Sequence, residues 1–203
     1  GMQNFIINNG LDEEDAANLL NSGRTYNYYT YDNQVDDYQQ DYYQLLTSTS
    51  ITSNWIASLN FHYTKGKGFY EEYKKGQSLE DYLIAPAITT NDTITESDLI
   101  RRKWLDNDFY GATWNITGNI GTNSKLLIGG AANQYSGAHF GEVIWAQFAG
   151  NSDIRHRYYD NDATKNDVNA FVRFETSIKK FHLFADLQGR NVSYKFTGLN
   201  DDG

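Results

Sequence analysis

The sequence predicts an all-β protein: an antiparallel up-and-down meander of about six long strands, arranged as three hairpins. Composition is the first of three observations behind this. The 203 residues include 16 Tyr, 11 Phe and 4 Trp, with 17 Gly and only 1 Pro. Aromatic and β-branched side chains fit a pleated surface, while Asn, Asp and Gly make turns. The second is alternation of apolar and polar residues, with a period of two over runs of roughly ten residues. The third is rhythm: each pair of alternating runs is joined by a short turn, and the pairs are separated by long irregular segments.

Charge and composition exclude several function classes. The formal net charge is −9, whereas a nucleic-acid groove needs clustered Lys and Arg. There is no cysteine, so disulfides, thiolate metal sites and cysteine nucleophiles are excluded. No apolar run is long enough for a transmembrane helix. The first residues show no basic segment followed by an apolar one, so no signal peptide is expected.

Residues 1–36 read as a long polar loop. Up to residue 41 the chain holds eight acidic residues against Arg24 alone. Within it, 12–20 has the pattern of a short helix with an acidic start and Ala16, Leu19 and Leu20 on one side. Tyr26, Tyr28, Tyr29 and Tyr31 follow among Asn, Thr and Asp. The first hairpin is expected at 38–65. Its second strand alternates Trp55, Ala57, Leu59, Phe61 and Tyr63 with Ile56, Ser58, Asn60, His62 and Thr64.

Residues 66–107 interrupt the alternation with Gly66, Gly68, several charges and Pro86, and read as a loop. Ser97–Leu105 has the look of a capped helical turn. The second hairpin, 108–134, sets Tyr110, Ala112, Trp114 and Ile116 against Gly111, Thr113, Asn115 and Thr117. A loop is expected over 135–165. The third hairpin, 166–197, sets Val168, Ala170, Val172 and Phe174 on the side of Leu183, Ala185 and Leu187, opposite Asp167, Arg173, Asp186 and Arg190.

Short turns at one end and long loops at the other describe an outer-membrane β-barrel. Strands of ten or more residues are long enough to cross a bilayer when tilted. Charges on the second face suit a wet lumen better than a sandwich core. Six strands also present roughly 900 Å² on one face, more than the few hundred Å² of contiguous apolar patch that a soluble monomer exposes. The alternative is a soluble, surface-displayed β-sandwich of carbohydrate-binding or adhesin type.

Six segments point further: Asn9–Glu13, His62–Gly66, Asp98–Gly111, Gly129–Asn133, His139–Gly141 and Phe184–Gln188. On these the chain resembles the middle of the β-barrel of a Bacteroidetes-type TonB-dependent outer-membrane receptor, over nearly its whole length. Arg101–Gly111 is the most specific piece. The resemblance implies a barrel of about 22 strands around an N-terminal plug, in the bacterial outer membrane. It implies TonB-driven import of a siderophore-like metal chelate, haem, cobalamin or a glycan. The chain has room for about six of those strands and shows no plug, no TonB-contacting segment and no barrel-closing strand. It is therefore expected to be an excised piece or a truncated reading frame, a single partial-barrel domain over 1–203 that is not transport-competent alone. The expected partners are outer-membrane lipid, the remainder of its own barrel and plug, TonB through that plug, and a small-molecule ligand. Open sheet edges also invite self-association.

Two basic-aromatic clusters, Arg101-Arg102-Lys103-Trp104 and Arg155-His156-Arg157-Tyr158-Tyr159, are expected on opposite long loops. Guanidinium groups beside aromatic rings suit an anionic or aromatic ligand through charge-assisted hydrogen bonds and stacking. The competing reading is internal salt bridging to Glu96, Asp98, Asp106, Asp108, Asp153 and Asp160. The ligand-contact candidates are Arg101, Arg102, Trp104, His139, Arg155, Arg157 and Tyr158. His62, His139, His156 and His182 lack metal-ligand spacing, so no metal and no cofactor is expected. There is no Gly-x-Ser-x-Gly, phosphate loop or dinucleotide fingerprint, and the many acids show no spacing particular to glycoside hydrolysis. The chain is not expected to be an enzyme.

Overall fold

The computed structural model describes residues 13–22, 31, 33–150 and 153–199. They belong to two compact units, 1–35 and 36–203. In the first unit the helix expected at 12–20 is present as α1 (Glu13–Ser22). Glu13 in its first turn suits the positive end of the helix dipole. Near its end the Ser22 hydroxyl donates to Asn18 Oδ1 at 2.7 Å, one turn back. The rest of the 1–36 loop, Tyr26, Tyr28 and Tyr29 included, lies outside the described residues, apart from Tyr31 and 33–35.

The second unit is one antiparallel sheet of six strands: β1 (Asp36–Thr52), β2 (Trp55–Ser78), β5 (Glu96–Ile120), β6 (Ser124–Ala146), β7 (Arg157–Ile178) and β8 (Phe181–Leu199). Their spatial order is their chain order, so this is the expected all-β meander. A two-stranded ribbon, β3 (Ala87–Ile88) with β4 (Thr93–Ile94), and a 3₁₀ turn, η1 (Glu80–Tyr82), sit in the connection between β2 and β5. Residues 53–54, 121–123 and 179–180 turn the three hairpins. Consecutive antiparallel strands place all three turns at one end and the two longer connections, 79–95 and 147–156, at the other. The large sheet is open, with β1 and β8 as its edges.

The strands run much further than their alternation suggested. Most of the loop expected at 66–107 and much of that expected at 135–165 are strand, and Ser97–Leu105 lies inside β5 rather than in a helical turn. The reason is a change of pairing chemistry along the strand. Past Tyr63 the cross-strand partners become charged: Lys65 lies opposite Asp108, Lys67 opposite Asp106 and Glu71 opposite Arg102. Opposite charges across a ladder stabilise it as apolar pairs do, but they erase the hydropathy signal. Glycines hide strand too. Gly66 and Gly68 lie opposite Gln40 and Tyr38, where Tyr38 occupies the space a Cβ would need. Ser97, expected as a helix cap, instead accepts the Phe148 N–H at 2.9 Å and donates to the Asp98 carbonyl at 2.9 Å.

Among the described residues of the sheet unit, the main buried cluster lies at the loop end. Leu79, Tyr82, Ile84, Leu99, Val143, Tyr158 and Tyr159 form one buried cluster, with Ala146, Ala149 and Ile154 packed against it. Tyr158 makes edge contacts with Tyr82 and Tyr159 at 4.7 and 5.1 Å between ring centres, a favoured geometry for aromatic pairs.

Candidate functional site

Side chains at paired positions share a face of the sheet, so the register sorts every residue. On one face, the row Leu45–Phe61–Ala112–Ala132–Val168 is followed by Thr47–Leu59–Trp114–Gly130–Ala170, by Thr49–Ala57–Ile116–Ile128–Val172–Leu187, and by Trp55–Gly118–Leu126–Phe174–Ala185. This is an apolar band, continuous over β2, β5, β6 and β7 and broken at the edge strands by Thr47, Thr49 and Asn191, and its side chains stay open. Leu59 is 43% exposed, Trp114 39% and Leu187 73%. All ten anchors placed on this face by alternation (Trp55, Leu59, Phe61, Tyr110, Trp114, Ile116, Val172, Phe174, Leu183 and Leu187) fall on it.

The band ends sharply. Its upper row is Tyr43–Tyr63–Tyr110–Gln134–Asn166–Ser193, and Tyr43 stacks on Tyr63 with ring centres 5.9 Å apart. From Trp55 to Tyr63 the band spans about 27 Å of strand at about 3.4 Å per residue. Immediately beyond it lies an ionic lattice. Lys65 Nζ reaches Asp106 at 2.6 Å and Asp108 at 3.2 Å, Lys67 reaches Asp106 at 3.1 Å, and the Tyr63 hydroxyl donates to Asp108 at 2.6 Å. The Lys65 hydrogen bond, outweighing partial burial and helped by Lys67, holds the Asp106 carboxyl below its usual range.

The opposite face is polar at the same height. His62 Nε2 donates to Asn133 Oδ1 at 2.9 Å, and Asn60 donates to Thr113 at 3.3 Å. Arg173 pairs with Asp186 at 2.9 Å, and Arg190 with Asp167. Leu46, Ile56, Phe109, Leu127, Phe171, Phe184 and Val192 interrupt this surface, so it is mixed rather than purely hydrophilic.

Past the ionic lattice the sheet carries most of the candidate ligand residues, and the register divides them between faces. On the face of the apolar band, Trp104 stands between Phe69 and Phe140, with ring centres 4.7 and 5.8 Å away, and its indole donates to Glu142 at 3.2 Å. Arg102 lies 4.1 Å over Phe69 and bonds Glu71 at 2.7 Å. Arg157 lies 3.6 Å over Phe140 and pairs with Asp160 at 2.8 Å. These cations are engaged along the strands, not displayed on loops. The acids that meet Arg101 and Arg102 are Glu72 and Glu71 of β2.

On the other face, Arg101 bonds Glu72 at 2.6 Å and donates to the Tyr82 hydroxyl at 3.1 Å. Burial works to lower its pKa, but the fields of Tyr158 and Tyr82 and the bond to Glu72 outweigh it, and the net shift is upward. Tyr158 is part of the buried cluster. Arg155 is exposed, and its backbone N–H donates to Asp153 at 3.1 Å.

His139 has a different setting. It lines an open cavity of about 660 Å³ together with Tyr38, Tyr70, Lys103, Tyr159 and Asn161. Two adjacent rows of the sheet make it: Tyr38–Gly68–Leu105–His139–Asn161 and Tyr70–Lys103–Gly141–Tyr159. A glycine sits in each row among bulky neighbours. At Gly141 a Cβ would collide with the Tyr158 and Tyr159 rings, so large side chains crowd against bare backbone and leave space beside it. His139 Nδ1 donates to Asn161 Oδ1 at 3.0 Å, and its Nε2 lies 3.5 Å from the Tyr135 hydroxyl. The aromatic walls Tyr38, Tyr70 and Tyr159 escape a reading of the sequence because three separate strands supply them; only the register joins them.

Among the described residues, no three His, Asp or Glu side chains converge as a metal site requires. None of the described helices is long and apolar enough to cross a membrane, a test that does not address strands. No protein-family model and no curated protein matches this chain.

Proposed function

We propose that this chain forms barrel wall and extracellular loops of a TonB-dependent outer-membrane receptor of the Bacteroidetes type. On this reading it contributes lipid-facing surface and ligand contacts at the outer mouth. The rest of the barrel and its plug, TonB and a small-molecule ligand complete the transporter, and the chain performs no chemistry of its own.

One observation carries the reading. An apolar band runs unbroken over β2, β5, β6 and β7 of a single sheet, stays exposed, and is bordered by tyrosines on β1, β2 and β5 and then by charge on β2 and β5. Water disfavours such a band by about 25 cal/mol per Å², and a bilayer removes that penalty. Aromatic rows at the border are where barrel proteins meet lipid headgroups. The cavity beside His139 opens at the loop end, beyond the ionic lattice, and is the place for ligand contact on this reading. A sandwich requires a second sheet over the apolar face; among the described residues the only other sheet is the two-residue ribbon β3–β4.

The test is depth. In variants that keep a single tryptophan, brominated lipid should quench Trp114 strongly and Trp145 weakly when the chain is folded in vesicles. Equal quenching of the two, or folding as a monomer in buffer without lipid or detergent, ends the proposal.

A further inference from the structure

We propose that His156 is a proton-operated latch joining the two long connections at the loop end. The argument rests on its two hydrogen bonds. Nδ1 lies 2.6 Å from the carbonyl oxygen of Asp153, and Nε2 lies 2.8 Å from the carbonyl oxygen of Tyr82. A backbone carbonyl oxygen only accepts, so each ring nitrogen must donate. Neutral imidazole carries one N–H; only the imidazolium carries two. Both bonds can form together only on the imidazolium. Removing one proton turns one bond into an approach of two lone pairs.

The two carbonyls belong to different segments. Asp153 lies in 147–156, and Tyr82 ends η1 in 79–95. Their connection adds a polar tie to two segments that otherwise meet through the buried cluster. Tyr82 and Ile84 pack in the buried cluster, and the Tyr82 hydroxyl meets Gln77 at 3.1 Å and Arg101 at 3.1 Å. The charged and titratable groups of the elements meeting there are Glu80, Asp81 and Tyr82 from η1, Arg101 from β5, and Asp153, Arg155, Arg157 and Tyr158 from its own segment. Arg101 is held by Glu72, and Arg157 by Asp160. Glu80 and Asp81, next to the Tyr82 carbonyl in the chain, add acidic charge to the segment the cation holds.

The sign follows from which state holds the proton. The latched state binds one more proton than the unlatched state with neutral imidazole, so raising the pH opens the latch. Histidine is the side chain whose charge ordinarily changes between about pH 5 and 8. The two loops should therefore be tied together in mildly acidic surroundings and separate more freely in alkaline ones. The inference stands on this loop geometry alone and does not depend on what the apolar band faces.

Hydrogen exchange on the full chain in detergent micelles tests it. Expressed as protection factors, which remove the intrinsic pH dependence of exchange, protection in 79–85 and 153–157 should fall about tenfold between pH 5.5 and 8, the effect of losing one charge-assisted hydrogen bond. Protection at the Lys179-Lys180 turn should not change. In His156→Gln, which cannot titrate, the same segments should be independent of pH. Ring ¹⁵N shifts of wild-type His156, assigned by their loss in that variant, give a second reading. They should report both nitrogens protonated at pH 5.5. Flat wild-type protection, equal pH dependence in His156→Gln, or a neutral ring at pH 5.5 with the loops still protected overturns the latch.

Discussion

Leu187, near the Lys179-Lys180 turn, is 73% exposed, while Leu99, beneath the long connections, is 0% exposed. The same side chain occupies two regions of one sheet with opposite surroundings. Near the turns the apolar residues spread outward in a band, and the polar residues pair on the opposite face: His62 with Asn133, Arg173 with Asp186. Near the loops the order is the familiar one. Apolar side chains gather in a buried cluster, and the surface is laced by ion pairs such as Arg102–Glu71 and Lys65–Asp106. The boundary is one row wide, at Tyr43, Tyr63 and Tyr110. The difference teaches that the strands are continuous but the burial of their apolar side chains is not. The loop end buries an apolar cluster, whereas among the described residues nothing covers the apolar face of the turn end.

Mutations on either side of that row should respond to different solvents. Leu99→Ala should cost the most, about 3–4 kcal/mol in any medium, because it opens a cavity in a closed cluster. The check is the denaturation midpoint in detergent and in lipid; a loss seen in only one medium would break the comparison. Leu59→Lys should cost about 2–3 kcal/mol in a bilayer, as a cation near the midplane does, while the exposed Ile88→Lys in the β3–β4 ribbon costs nothing measurable. Equal effects from these two would show that the band is not a lipid face. Arg102→Ala should cost about 1–2 kcal/mol by removing one ion pair of Glu71, whose side chain is 4% exposed. Arg155→Ala, a change at an exposed side chain, should fall within a few tenths of a kcal/mol of wild type, and a chemical-denaturation series on the two variants separates them.

Legibility in the sequence follows the same boundary. Near the turns, the period-two alternation of Trp55–Tyr63 and Tyr110–Ile116 marked the strands, the turn positions and the apolar face, because apolar side chains gather on one face and polar ones predominate on the other. Near the loops the cross-strand pairs are charged on both faces, Arg102 with Glu71 and Arg101 with Glu72, so alternation vanished and strand was read as loop. The Arg101–Trp104 segment shows the mechanism. Arg102 and Trp104 join one face, Arg101 and Lys103 the other, and the acids that pair with the arginines lie some thirty positions earlier, at Glu71 and Glu72. Nearness in sequence pointed instead to Asp98, Asp106 and Asp108. The cavity around His139 was hidden for the same reason: the large residues of three strands and the glycines of two become neighbours only through pairing.

The smallest predicted effect concerns a clip at the loop end that has no counterpart near the turns. Gly76 sits at the bulge between Lys74 and Gln77 with a positive φ of 58°, a conformation that glycine adopts without strain. Its N–H donates to Asp98 Oδ1 at 2.8 Å, and the Tyr73 hydroxyl donates to the other oxygen of the same carboxylate. The Tyr73 hydrogen bond first, and the Gly76 N–H second, hold the Asp98 carboxyl below its usual range. A carboxylate with a depressed folded pKa stabilises the fold fully above its unfolded value of about 3.9 and loses that contribution as the pH falls through the folded value. Protection of the Gly76 amide should therefore be constant from pH 7 to 5 and decline only below about pH 4. In Asp98→Asn it should start lower and show no acid-dependent step. A decline already present at pH 6 in the wild type, or an unchanged acid step in Asp98→Asn, would mean that another group holds the bulge.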